Sequence, residues 1–171
     1  MNDGQKLILQ EAKWPDYLRF RPLCCVDTLP RSAGQCWTGA VVAADESTFI
    51  NADAAFIGYN WPFRNNGIRQ AVFSQIHGCS RRYRMAYFNK NLRTLSRVMV
   101  RPDCRRQGIA TQMVLRTVEQ IGVPFIECLT FTASIAKILE RCGFRNLGRT
   151  GGLCCDYFLW VSKSSSQNTV L

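Results

Sequence analysis

Between residues 98 and 111 the chain reads VMVRPDCRRQGIAT, and no other stretch restricts the fold as much. Leu95–Val100 (LSRVMV) has the β-branched content of a strand, and Pro102 ends it because proline cannot donate to a ladder. From Thr111 to Ile121, Val114, Val118 and Ile121 recur at i, i+4 and i+7 on one helix face, with Gly122 and Pro124 as the stop. A strand that turns tightly into a helix leaves backbone N–H groups without intrahelical partners. The helix macrodipole adds partial positive charge at the same place, so the loop suits an anion and in particular a diphosphate. Gly108 lets the backbone approach phosphate oxygens closely, small Ala110 keeps the helix start open, and Arg105 and Arg106 supply charge. Neither G-x-x-x-x-G-K-[ST] nor G-x-G-x-x-G with a downstream acid is present, which disfavours a nucleotide triphosphatase or a dinucleotide enzyme.

The remaining signals place this unit in a mixed sheet. Lys6–Glu11 reads as a first strand and Pro15–Phe20 as a short helix with proline in its first turn. Cys36–Ala44 and Ala54–Asn60 read as paired strands around the turn-like ADESTFINAD. Phe125–Phe131 is a further strand, then Ser134 stands as an N-cap before Ile135, Ile138, Leu139 and Cys142 at helical spacing, with Gly143 as the C′ residue. Leu153–Val161 closes the series as a late core strand. Strands dominate the first half and alternate with helices in the second, an α/β (α+β) pattern with helices on a mixed sheet. Residues 62–91 read as an irregular basic insertion, partly helical around Gln70–Ile76, and 162–171 (SKSSSQNTVL) as a flexible tail behind a single domain at 1–161.

At 171 residues and 47 % hydrophobic content, one domain with a real core is expected. No run approaches the roughly 20 apolar residues of a membrane span, and MNDGQKLILQ lacks the pattern of a secretory signal, so a cytoplasmic location is the expectation. Nine cysteines, an odd number including the adjacent pairs Cys24-Cys25 and Cys154-Cys155, fit reduced thiols better than a disulfide framework. Their scattered spacing, with His77 the only histidine, speaks against a structural metal. The net charge of +10 is concentrated between Arg64 and Arg106, where eleven basic residues face the single acid Asp103 and the rest of the chain is neutral. Such focusing suggests an anionic partner, the alternative being a solvated face.

Arg105-Arg106-Gln107-Gly108-Ile109-Ala110, behind Val100-Arg101-Pro102, resembles motif A of the GNAT N-acetyltransferases, [QR]-x-x-G-x-[GA] after a V-x-P strand end. The resemblance runs through the next helix and strand to ERCGF, residues 140–144, and covers roughly residues 92–145. It implies a mixed, mostly antiparallel central sheet of about six to seven strands flanked by helices. It also implies acetyl-CoA as co-substrate without a metal. Val98, Met99 and Val100 would offer main-chain groups to the pantetheine arm and acetyl carbonyl. Arg105, Arg106, Gln107, Gly108, Ile109, Ala110 and Thr111 would hold the pyrophosphate. The implied reaction is acetyl transfer to a primary amine by a monomer or homodimer.

Where relatives carry an Asn at the start of the later helix and a Tyr near its end, this chain has Ala133 and Leu139, so the usual general acid is missing. Glu127, an acid inside an apolar strand, is the candidate base, and the alternative is a carboxylate paired with a neighbouring Arg. His77 reads as a surface group, and Cys128, Cys142 and Tyr157 as core residues. Arginines interleaved with Tyr83, Tyr87 and Phe88 tilt the acceptor toward an anionic one such as aminoacyl-tRNA. The competing reading is a catalytically impaired module that senses CoA or binds nucleic acid.

Overall fold

The computed structural model describes residues 5–23, 34–43, 45–62, 66–150 and 155–163. Cys24, Cys25, Arg64, Cys154 and most of the expected tail, 164–171, lie outside them. Seven strands of the described residues are hydrogen-bonded in the order β1-β2-β3-β4-β5-β7-β6. They are β1 (Gln5–Ala12), β2 (Cys36–Ala43), β3 (Phe49–Asn60), β4 (Leu92–Val100), β5 (Phe125–Thr130), β6 (Arg145–Arg149) and β7 (Asp156–Val161). The helices are α1 (Gly67–Val72), α2 (Arg81–Asn91), α3 (Ile109–Gln120) and α4 (Ala133–Arg141), with short 3₁₀ turns between elements. The sheet is mixed as expected: β4 and β5 run parallel, while β1, β2 and β3 pair antiparallel in turn, as do β5, β7 and β6. No helix of the described residues is long and apolar enough to cross a membrane.

Two compact units divide the chain, residues 1–60 with 96–117 and residues 61–95 with 118–171. In the first, β1 pairs with β2 along its whole length, from Gln5 opposite Ala43 to Ala12 opposite Cys36. The β2–β3 ladder shifts register near Val41, an irregularity of the bulge kind that bends a strand. Phe56 is the aromatic centre, with edge-on contacts at 5.7 Å to Trp14 and Tyr17, and Phe20, Cys36 and Met99 complete the cluster. The second half of α3 is tied down by Tyr59 and Thr117, whose hydroxyls meet at 2.8 Å, and by Arg116 Nη1, which donates to the Leu7 carbonyl at 2.8 Å. The second half of β4 lies against β3 through Ser96 Oγ on the Gly58 carbonyl at 3.0 Å and Arg101 N–H on the Ala54 carbonyl at 2.9 Å.

In the second unit β4 and β5 pair at Leu92–Phe125, Arg93–Ile126 and Thr94–Glu127, and β7 pairs with β5 over six positions. Phe73, Phe88, Leu92, Phe125, Tyr157 and Leu159 form its core. Helix α4 ends in a Schellman motif: Gly143 N–H reaches the Glu140 carbonyl and Phe144 N–H the Leu139 carbonyl, both at 3.0 Å. Gly143, at φ 83°, supplies the left-handed residue that this stop requires.

Several expectations need correction. The short helix expected at Pro15–Phe20 is a 3₁₀ helix, Trp14–Arg19. Thr132, not Ser134, is the N-cap of α4, and its side chain makes no capping bond, so Ser134 sits inside the first turn. The described residues of 62–91 are more helical than expected: α1, a 3₁₀ turn at Ser74–Ile76 and the three-turn α2 occupy most of them. Ser80 caps α2 by accepting from Tyr83 N–H. Strand β6 was not foreseen, and the expected strand Leu153–Val161 is described as Asp156–Val161, with Leu153 and Cys154 outside the described residues.

Candidate functional site

The expected anion loop lies wholly in the first unit. After β4 a single 3₁₀ turn at Pro102–Cys104 brings the chain round, and Gln112 N–H on the Gly108 carbonyl at 3.0 Å makes Gly108 the N-cap of α3. Ile109, Ala110 and Thr111 form the first turn of α3, ahead of the i→i−4 ladder that begins at Gln112. Arg106 (φ 63°) and Gly108 (φ 78°) both adopt the left-handed conformation. For a non-glycine this is a strain of order 1–3 kcal/mol, of the kind that clusters where backbone is pre-shaped for a ligand.

Four side-chain contacts fix the loop. Asp103 accepts from Arg101 Nε at 3.3 Å and from Asn51 Nδ2 at 3.1 Å. Asn51 Nδ2 also lies 3.3 Å from Cys104 Sγ, whose burial pins the turn to the start of β3. Arg105 Nε donates to the Val100 carbonyl at 3.1 Å, tying the loop back to the strand it has left. Asn51 was missed in the sequence, where it sits inside what reads as a turn, 52 residues from its partner Asp103.

These residues fit a diphosphate. A Cβ built on Gly108 would meet no protein atom within 4 Å, so the space before the N-cap is open. The one acid of the loop is already engaged by Arg101 and Asn51, and Arg105 and Arg106 are exposed. Val98, Met99 and Val100 run into the same loop. The Met99 side chain is buried in the aromatic cluster, which leaves the main chain as what that residue can offer a ligand.

Glu127 lies in the second unit and is wholly buried. Arg69 Nε donates to its Oε2 at 2.8 Å and Arg69 Nη2 to its Oε1. Thr94 Oγ1 donates to Oε1 at 2.7 Å and Tyr157 O–H to Oε2 at 2.9 Å. Both oxygens therefore accept two hydrogen bonds, and four elements, α1, β4, β5 and β7, converge on one carboxylate. Burial, then the Glu127 charge, holds the Tyr157 phenol far above the ordinary tyrosine range, so it stays protonated as a donor. Arg69, one of the eleven basic residues between Arg64 and Arg106, is 2 % exposed, with its guanidinium 5.3 Å from the Phe88 ring centre. Leu139 and Tyr157 are core residues, and His77 is exposed at the end of the 3₁₀ turn Ser74–Ile76.

The thiols are placed as core groups. Burial pushes Cys36 up to about 11, with Asp16 and Glu11 adding to it; it pushes Cys142 up to about 11, and Cys128 up to about 12 with Glu127 adding. Free thiols of the unfolded chain ionise near roughly 8.5. Protons held more tightly in the folded state stabilise it fully below that pH, and the contribution is lost as pH rises toward the folded values. Melting temperature is thus expected to be flat in this respect from pH 7 to 8 and to fall from about 8.5 upward. Replacing Cys128 by Ala should make that fall shallower, which calorimetry across the pH range would show.

No protein-family model matches the chain, and no curated protein matches it in sequence. Solved structures do match. A GNAT-family acetyltransferase from Bacillus cereus is 16 % identical with a TM-score of 0.59, over 92 % of this chain and 98 % of that one. NAA60 of Arabidopsis thaliana, solved in complex with acetyl-CoA, is 13 % identical with a TM-score of 0.58, over 92 % and 99 %. A mutant of the spermidine N-acetyltransferase SpeG from Vibrio cholerae is 9 % identical with a TM-score of 0.56, over 91 % and 93 %. With the strand order, the β4 turn and the α3 start already in place, these matches establish that the chain has the GNAT acetyltransferase fold.

Proposed function

We propose that the protein is an acyl-CoA-dependent N-acetyltransferase that moves an acetyl group from acetyl-CoA to a primary amine. The observation that carries this reading is the left-handed pair Arg106 and Gly108 in front of the open first turn of α3, within a GNAT fold. The amides from Arg106 to Thr111 would hold the diphosphate, with Arg105 and Arg106 adding exposed charge. Main-chain groups of Val98, Met99 and Val100 would hold the pantetheine arm and stabilise negative charge developing on the acyl oxygen. Val100 contributes through its N–H, since its carbonyl accepts from Arg105, and that bond keeps strand and loop in one geometry. The co-substrate supplies an activated thioester whose thiol, with a pKa near roughly 8.5, leaves without an obligatory acid. The chain accordingly works mainly by holding the amine and acyl group together, with Leu139 and Ala133 providing no proton.

Glu127 enters this scheme as a positioning residue. Its four accepted hydrogen bonds leave no lone pair aimed at a substrate amine, and they join α1 to three strands. A second reading, in which the amine belongs to an aminoacyl-tRNA, draws on exposed Arg81, Arg82 and Tyr83 on α2.

At 100 times its dissociation constant, acetyl-CoA is expected to add about 2.7 kcal/mol of stability, a rise of about 5–10 °C in melting temperature. Release of free thiol with a panel of amines then tests turnover. Binding without release on any amine would leave a CoA-sensing module, and absence of binding would end the whole reading. Affinity for tRNA that does not fall with salt would remove the second reading alone.

A further inference from the structure

The second unit holds a cleft that the transfer reaction does not use. It lies between α1 with its following 3₁₀ turn on one side and α2 on the other, and it has a volume of about 110 Å³. Arg69, Gln70, His77, Arg81, Arg84 and Phe88 are among its walls, and no carboxylate lines it among the described residues. The cations are held in place. Arg84 Nη1 donates to the His77 carbonyl at 2.8 Å and to the Cys79 carbonyl at 2.6 Å, which fixes that guanidinium at the rim. Arg69 is fixed from below by Glu127, which also offsets its charge. Arg81 stands in the first turn of the eleven-residue α2, where the macrodipole adds to its charge. With Arg69 offset by Glu127, Arg81 and Arg84 leave the cleft walls net positive, a field that favours an anion.

We propose that this cleft is an anion subsite that takes the terminal phosphate group of a small phosphomonoester. The volume is far below the roughly 300–1,000 Å³ of pockets that enclose a whole ligand, so one group enters and the rest of the molecule stays outside. Donors from Gln70 on α1, His77 after the 3₁₀ turn, and Arg81 and Arg84 on α2 surround the cleft from three segments, an arrangement better matched to the three terminal oxygens of a phosphate than to the two of a planar carboxylate. The proposal is independent of the acetyl-CoA reading, because no residue of the loop at 105–111 lines this cleft.

The test is a titration of the full chain with inorganic phosphate, followed by NMR of backbone amides and arginine Nε–H groups, with chloride at equal ionic strength as control. Saturable shifts at Gln70, His77, Arg81 and Arg84 are expected. Arg81→Gln, an exposed replacement, should weaken phosphate binding about tenfold, while Arg82→Gln, outside the cleft, should leave it unchanged. Linear shifts without saturation, equal loss in both variants, or shifts confined to residues 105–111 would each overturn the assignment. So would a short oligoribonucleotide lacking terminal phosphates that displaces phosphate from the cleft, since that result would assign it to a nucleic-acid backbone.

Discussion

Glu127→Gln should lower the melting temperature by about 6–20 °C, the shift that corresponds to roughly 3–5 kcal/mol in a domain of this size. The substitution keeps the shape but removes the charge, leaving Arg69, 2 % exposed, as a buried cation without the Glu127 counter-charge. Breaking one partner of a buried pair is far costlier than removing both, because the survivor keeps its full desolvation penalty. The double replacement Arg69→Met with Glu127→Leu is therefore expected to recover most of the loss. Thr94→Val and Tyr157→Phe remove single neutral donors to the same carboxylate and should cost only about 1–2 kcal/mol each. A base in direct contact with substrate predicts a different pattern: Glu127→Gln would melt like the parent while kcat fell about 10²–10⁴-fold. Calorimetry and kcat/KM on the same four variants, with a pH–rate profile for any that stays folded, separate the two roles. A parental melting point for Glu127→Gln with collapsed turnover would return Glu127 to the chemistry.

The contrast between Glu127 and the loop at 105–111 shows where sequence is legible. The loop is a local object. Strand ending, proline, adjacent arginines and glycine occupy fourteen consecutive residues, the helix periodicity follows directly to Ile121, and the turn is readable from their order although Asn51 also braces it. Glu127 depends on a residue 58 positions away, inside a stretch whose charge density reads as solvated surface. An acid in an apolar strand announces that something must compensate it, but only the packing of α1 against β5 shows that Arg69 does. Helix α2 escaped notice for a related reason. Its sequence RRYRMAYFNKN buries only Phe88 fully, so the apolar stripe is too narrow to register, although Ser80 already stood as a capping residue. Strand β6, RNLGR, is exposed along its whole length at the end of the strand order, and without a buried face it has no alternation to read.

Replacement of Gly108 has the largest expected effect on the coenzyme. In the free protein the cost is conformational, because at φ 78° any Cβ is strained by about 1–2 kcal/mol, while no protein atom lies within 4 Å to add a clash. Folding should therefore survive both Gly108→Ala and Gly108→Val. Binding should not survive equally, since the added atoms occupy the space in front of the Ile109, Ala110 and Thr111 amides where the diphosphate is proposed to lie. The dissociation constant for acetyl-CoA is expected to rise about tenfold for Ala and about 100-fold for Val, or roughly 1.4 and 2.7 kcal/mol by calorimetric titration. Gly67, at the first position of α1, is the matched control: an added Cβ there also meets nothing within 4 Å, but φ is not positive, so Gly67→Ala should change neither binding nor, by much, stability. Arg105→Ala and Arg106→Ala act through exposed charge, so their smaller losses should shrink further as salt is raised, whereas the Gly108 effect should not. Retention of acetyl-CoA within about threefold by a folded Gly108→Val protein would mean that the coenzyme does not sit at the start of α3. The left-handed turn at Arg106 and Gly108 would then be strain with no ligand to explain it.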